Sequence, residues 1–164
     1  SLILVVIYPL MKRITYWPQL ILGFTFNWGA LLGWAAVSGE IKLPAIVLYC
    51  AGIFWTLGYD TIYAHQDKED DIKVGVKSTA LRFGNNTHKW LIGFYLLCFI
   101  LSLVAGYLAN LNLFFFLAMS VAGGQLAYQL KILKIDDREL CLKLFKSNHH
   151  FGILFFIALI IGHI

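Results

Sequence analysis

Asp60, Asp67 and Asp71 are the residues of this chain best suited to chemistry. They lie in Tyr59-Asp60-Thr61-Ile62-Tyr63-Ala64-His65-Gln66-Asp67-Lys68-Glu69-Asp70-Asp71, an acidic stretch in a chain of which only 13% is charged. On an α-helix, Asp67 and Asp71 fall about 20° to either side of Asp60, while Glu69 points to the opposite side. Carboxylates aligned in this way repel one another unless a cation holds them. An all-oxygen donor set suits a hard ion such as Mg²⁺, which commonly brings substrate phosphates with it. The competing reading is a solvated acidic turn. It is weakened because an apolar segment runs into the stretch with no Pro or Gly break, which predicts one continuous helix.

A metal-bound polyphosphate also needs cations. Lys12 and Arg13 end an apolar segment, and Tyr8 stands four residues before Lys12, so phenol and ammonium share a helical face. Facing the aspartates across a bundle, this pair would clamp phosphate oxygens; the plainer alternative is a topology anchor. Lys77, in Val74-Gly75-Val76-Lys77-Ser78-Thr79, could serve a diphosphate or cap the next segment, and the two readings weigh equally. His149 and His150 are adjacent, so on a helix their side chains point about 100° apart and make poor co-ligands. Trp28, Trp34, Trp55 and the many Phe side chains read mostly as lipid contacts and packing, and a few lining a cavity could stabilise a cation through their faces. Cys50, Cys98 and Cys141 have neither zinc nor CxxC spacing and read as small apolar filler, and no glycine-rich phosphate loop occurs.

The elements that must position these groups are membrane helices. The chain is 60% hydrophobic with a mean hydropathy of +0.75, well above the roughly 45–50% apolar usage of soluble domains. A soluble domain of 164 residues could not bury that much apolar surface. The expected fold is all-α, a polytopic transmembrane bundle of about five helices plus the end of another. Residues 1–10 are apolar but shorter than the roughly 20 residues a span needs, and read as the tail of a helix. Further spans are expected at about 19–38, interrupted at Asn27, and at 45–64, 90–109 and 113–130. Residues 131–150 read as a basic loop, and 151–164 as a short last span.

The net charge of +4 and pI near 9.0 could suggest nucleic acid, but basic loops on one side of a membrane explain them more simply. Alternating sides along this threading puts every Lys and Arg except Lys42, and every acid except Glu40, on one face. The positive-inside rule makes that face cytoplasmic, or matrix-facing in a mitochondrion, and it is the working side. A transporter fragment or non-catalytic scaffold is the reading from another class. Transporters more often carry ionisable groups near mid-span, whereas here they sit at helix ends.

Tyr8-Pro9-Leu10-Met11-Lys12-Arg13-Ile14-Thr15-Tyr16-Trp17-Pro18-Gln19, Phe26-Asn27-Trp28-Gly29 and the block from Gly58 to Ala80 resemble the later signatures of UbiA-superfamily membrane prenyltransferases. The resemblance covers nearly the whole chain and is nearest to the members that prenylate 4-hydroxybenzoate. It implies a nine-helix bundle with a central cavity, in the bacterial or mitochondrial inner membrane. The second aspartate-rich motif, DxxxD, falls on Asp67 and Asp71 as Mg²⁺ ligands, with Asp60 upstream, and YxxxK falls on Tyr8 and Lys12. Site roles then go to Asp60, Lys12, Arg13 and Tyr8, with Lys77 a further diphosphate contact. The implied reaction transfers a polyprenyl group from polyprenyl diphosphate to the ring of 4-hydroxybenzoate, ortho to its hydroxyl, in ubiquinone biosynthesis. Related acceptors such as a naphthoate, a haem or a glycerol phosphate are the alternative. The first motif, NDxxDxxxD, has no counterpart here. Residues 1–164 are therefore expected to be the C-terminal part of one prenyltransferase domain, completed by N-terminal helices and inactive without them.

Overall fold

In a computed structural model that describes residues 2–164, the chain forms nine α-helices and one 3-10 turn, with no strand among the described residues. Apolar sequence and membrane length explain most of the boundaries. Five stretches are long and apolar enough to cross a membrane: Pro18–Ser38, Leu43–Gln66, Thr79–Leu108, Leu113–Ile132 and Arg138–His163. This is a polytopic all-α bundle. Ahead of them α1 (Leu2–Ile14) ends in Lys12 and Arg13, where cations meet the partial negative charge of a helix C-terminus.

The first stretch is two helices, α2 (Pro18–Phe26) and α3 (Trp28–Ser38), divided at Asn27 as the sequence suggests. Asn27 Nδ2 donates to Gly23 O at 2.7 Å and to Thr56 Oγ1 at 3.0 Å, so a polar residue satisfies the break inside apolar surroundings. The long helix α4 (Leu43–Gln66) is central and packs on α2, α3, α7 and α9. Beyond it lie α5 (Lys68–Val74), α6 (Thr79–Phe83) and α7 (Thr87–Leu108). A Cβ at Gly58 would overlap the Tyr95 ring, so this glycine lets α4 and α7 approach closely. The bundle is completed by α8 (Leu113–Ile132) and α9 (Arg138–His163).

Two expectations are corrected. The acidic stretch is not one helix: α4 stops at Gln66, and Asp67, at φ −94° and ψ 0°, turns the chain into α5. Residues 131–150 are not a loop, because α9 begins at Arg138. Asp137 caps it by accepting the Leu140 N–H at 2.9 Å, and the last span is 26 residues long.

The pairing of chain joints follows the expected alternation. At one end, Lys77 N–H donates to Lys12 O at 2.7 Å, and Arg138 reaches the acidic turn. At the other, Asn112 N–H donates to Gly162 O at 3.0 Å, and Asn112 Nδ2 to Ile161 O at 3.2 Å. The acids and bases picked out in the sequence therefore gather at a single end of the bundle.

Candidate active site

The acidic turn is built by backbone bonds. Asp71 N–H donates to Asp67 O at 2.8 Å, which keeps the two residues one helical turn apart across the break. Gly75, at φ 74°, then ends α5: its N–H reaches Ile72 O and Val76 N–H reaches Asp71 O, the two bonds of a Schellman motif. The returning segment is pinned by Thr79, whose hydroxyl is 2.7 Å from that of Thr61 and whose N–H donates to Gln19 Oε1 at 3.2 Å. Loop, α1, α2 and α4 are thus tied around one point.

Around that point the carboxylates divide. Arg138 Nη2 donates to Asp70 Oδ2 at 2.8 Å, and Nη1 lies 3.5 Å from Glu69 Oε2; Lys73 adds a 3.3 Å contact to Asp70. The Arg138 hydrogen bond, helped by Lys73, holds the Asp70 carboxyl below its usual range. Asp71 faces inward and is 6% exposed, and its Oδ2 has no hydrogen-bond partner. Burial pushes its carboxyl up, against the opposing pull of Lys12 and Ser78. The buried Ser78 hydroxyl is near enough to favour the charged carboxylate but outside hydrogen-bond geometry.

Lys12 extends from the half-buried side of α1 and acts electrostatically on both Asp60 and Asp71. Tyr8, one turn earlier, is half-buried and feels the charge of Asp60 and Asp71. Asp67 acts on Asp60, Tyr63 and Asp71. Tyr8, Lys12, Asp60, Asp67 and Asp71 thus share one electrostatic neighbourhood. Arg13 is exposed, and among the described residues neither it nor Lys12 forms an ion pair. The Lys77 ammonium donates to Ile14 O at 3.1 Å and lies 5.4 Å over the Tyr16 ring, so in this structure it caps the end of α1. The His149 and His150 rings touch, with centroids 3.8 Å apart, instead of pointing away from each other.

A divalent cation suits part of this arrangement. Among the described residues no three His, Cys, Asp or Glu side chains converge closely enough to hold a metal. Asp67 and Asp71 nevertheless offer hard oxygen donors, and the buried, unpartnered Asp71 Oδ2 is the kind of group that an ion satisfies. They fit as a partial ligand set, with phosphate oxygens and further donors completing the shell.

Asp60 opens onto a cleft of about 340 Å³ between α4 and α9, whose walls include Trp55, Tyr59, Phe145, Lys146, Asn148 and His149. Phe26 and Trp55 line this cleft and also an apolar groove of about 280 Å³. Through Ala30, Leu48, Ser102 and Phe155 that groove adjoins another of about 440 Å³, which reaches Ser38 and His163 at the far end. A polar head site thus leads into an apolar path along the length of the bundle. The α9 contribution is missed when 131–150 reads as a loop. The signal that could have found it is Asn148, a polar residue that becomes intramembrane once α9 starts at Arg138.

Residues 1–160 match the model of the UbiA prenyltransferase family. The chain is 52% identical over 163 residues to a Drosophila pseudoobscura pseudoobscura protein named 4-hydroxybenzoate polyprenyltransferase, mitochondrial, covering 99% of this chain and 41% of that protein. A protein of the same name from Arabidopsis thaliana is 52% identical over 164 residues, covering 99% of the chain and 40% of the relative. The Homo sapiens protein of that name is 48% identical over 166 residues, covering 100% and 44%. The chain thus spans less than half the length of these curated relatives. No solved structure matches it.

Proposed function

The chain belongs to the UbiA prenyltransferase family, and from that premise we propose that its residues serve polyprenyl transfer from a polyprenyl diphosphate to the ring of 4-hydroxybenzoate. The observation that carries this reading is the electrostatic coupling of Lys12 to Asp60 and to Asp71, together with an Asp60 cleft that shares Phe26 and Trp55 with an apolar groove. A diphosphate attached to a long hydrocarbon needs that combination of a charged clamp and a greasy groove.

Lys12 donates to diphosphate oxygens, with Tyr8 offering a hydroxyl from the same face of α1 and Arg13 and Lys77 contributing long-range positive charge. Asp67 and Asp71 would hold Mg²⁺, which when bound would supply charge neutralisation for a diphosphate. The allylic C–O bond breaks heterolytically and its electron pair leaves with the diphosphate. The apolar groove keeps water from the allylic cation. The acceptor ring carbon ortho to the hydroxyl then forms the new C–C bond and releases its proton. Asp60, in the cleft, orients the acceptor hydroxyl or receives a proton. The products are 3-polyprenyl-4-hydroxybenzoate and diphosphate, on the way to ubiquinone. The site lies on the matrix side of the mitochondrial inner membrane, in line with the relatives' printed names and the Lys/Arg-rich face.

The full-length enzyme in lipid nanodiscs, given Mg²⁺, a polyprenyl diphosphate and 4-hydroxybenzoate, tests this. The expected result is a prenylated 4-hydroxybenzoate by mass spectrometry and release of diphosphate, both abolished by chelator. Transfer to a naphthoate or a haem in its place would redirect the acceptor, and no transfer to any of them would overturn the reading.

A further inference from the structure

The membrane interior of this bundle contains a chain of hydrogen-bonded polar side chains. Tyr95 OH on α7 donates to Gln129 Oε1 on α8 at 3.0 Å. Gln129 Nε2 donates to Gln125 Oε1 and to Ser147 Oγ, each at 3.1 Å. Asn148 Nδ2 on α9 donates to the carbonyls of Leu144 at 3.0 Å and Phe145 at 3.2 Å on its own helix and lies 3.4 Å from Gln129 Oε1, while Asn148 Oδ1 accepts the Trp55 indole N–H from α4 at 3.0 Å. Gln129 is 0% exposed, Tyr95 2% and Asn148 6%. Apolar packing would join four helices without the desolvation cost that these groups carry. Intramembrane polar residues of this kind ordinarily mark function.

The chain of bonds ends at Trp55, and Trp55 sits where the Asp60 cleft meets the apolar groove. Its indole is edge-on to Tyr59, with centroids 5.4 Å apart, and tilted against Phe151 at 5.0 Å; the hydrogen bond from its nitrogen sets the remaining rotation. A ring face acts on a cation only over a short range and in the right orientation, so fixing the indole fixes that interaction.

We propose that Asn148, its amide oriented by the carbonyls of its own helix, is a positioning residue that locks the Trp55 indole at the junction of cleft and groove, where the allylic carbon of the prenyl donor lies. This rests on the prenyl-transfer reading above. Asn148 also lines the cleft, and the role assigned to it is exerted through Trp55, whose indole N–H it accepts.

The test uses the full-length enzyme in nanodiscs with Asn148→Leu, Trp55→Phe and the double variant. Asn148→Leu is expected to lower kcat by about 10- to 100-fold, the scale of misplacing a group near the reacting centre, with KM for both substrates unchanged. Trp55→Phe gives a comparable loss, and the double variant is no slower than Trp55→Phe alone, because the two changes break one device. The indole N–H resonance Raman band assigned by the Trp55→Phe difference spectrum shifts to its non-hydrogen-bonded position in Asn148→Leu. Losses that multiply, or a shifted band with wild-type kcat, would overturn the positioning role. An unshifted band would overturn the lock whatever the reaction. Absence of prenyl transfer by the unmutated enzyme would instead sink the reaction reading, and the band would still report on the lock. Should Asn148→Leu fail to fold, Asn148→Ala removes the same indole acceptor with a smaller side chain and is read in the same way.

Discussion

Glu69 and Asp70 stand within two residues of Asp71, on the same short helix, yet their surroundings differ completely. Arg138 and Lys73 neutralise the first two at the surface. Asp71 is turned inward, one helical turn from Asp67, with Lys12 as the cation that acts on it and one carboxylate oxygen unpartnered. Composition treats the three acids alike. The helical turn separates them, and the difference teaches that one acidic run does two jobs. Its outer half ties α5 to α9, and its inner half keeps carboxylate oxygens available for a ligand.

The largest effect should come from the inner half. Asp67→Ala or Asp71→Ala in the full-length enzyme should cut Mg²⁺-dependent prenyl transfer by about 100-fold or more, the scale of losing a preorganised electrostatic contact. Glu69→Ala should stay near wild type under the same assay, and equal losses for all three would break the division. Next is Lys12→Ala. Deleting one charge-assisted hydrogen bond should raise the KM for polyprenyl diphosphate by about 10- to 100-fold and leave the acceptor KM alone.

Stability measured in metal-free protein sharpens the contrast, because the two halves should respond to pH with opposite signs. Burial raises the Asp71 carboxyl, so its ionised form costs stability at neutral pH. Asp71→Asn should therefore raise Tm above wild type at neutral pH, and the advantage should vanish as pH falls through the raised value. Arg138 lowers the Asp70 carboxyl, so this tie stabilises the fold above the ordinary carboxylate range and is lost as pH falls through the lowered value. Arg138→Ala should lower Tm slightly at neutral pH, with kcat intact, and match wild type in strong acid. This is the smallest effect, as expected for an exposed pair. A Tm deficit that persists in strong acid would mean that Arg138 acts by packing.

Much of this architecture is legible in the residues themselves. Tyr8 and Lys12 share a face because α1 is helical through both, and the joints gather as the alternation of spans requires. Asp67 and Asp71 remain neighbours although the helix expected through them breaks. The break is not legible, since nothing in Gln66-Asp67-Lys68 is a strong helix breaker. The start of α9 at Arg138 is hidden for a related reason. Its first turns are too polar to read as membrane span, and the Asp137 cap speaks only weakly from sequence.

By itself, the sequence determined what depends on composition and near-neighbour spacing. These are a helical membrane bundle, the spacing within a carboxylate set and within a Tyr-Lys pair, and a family resemblance. Only tertiary structure decided which acids are neutralised by Arg138, that Lys77 caps α1, and that Asn148 reaches Trp55 beside Asp60. Arg138 pairs with residues 68 and 69 positions away, and Asn148 lies 93 positions from Trp55. Helical periodicity says which way a side chain points along its own axis. It says nothing of which other helix will stand there, because the packing of the whole bundle sets that.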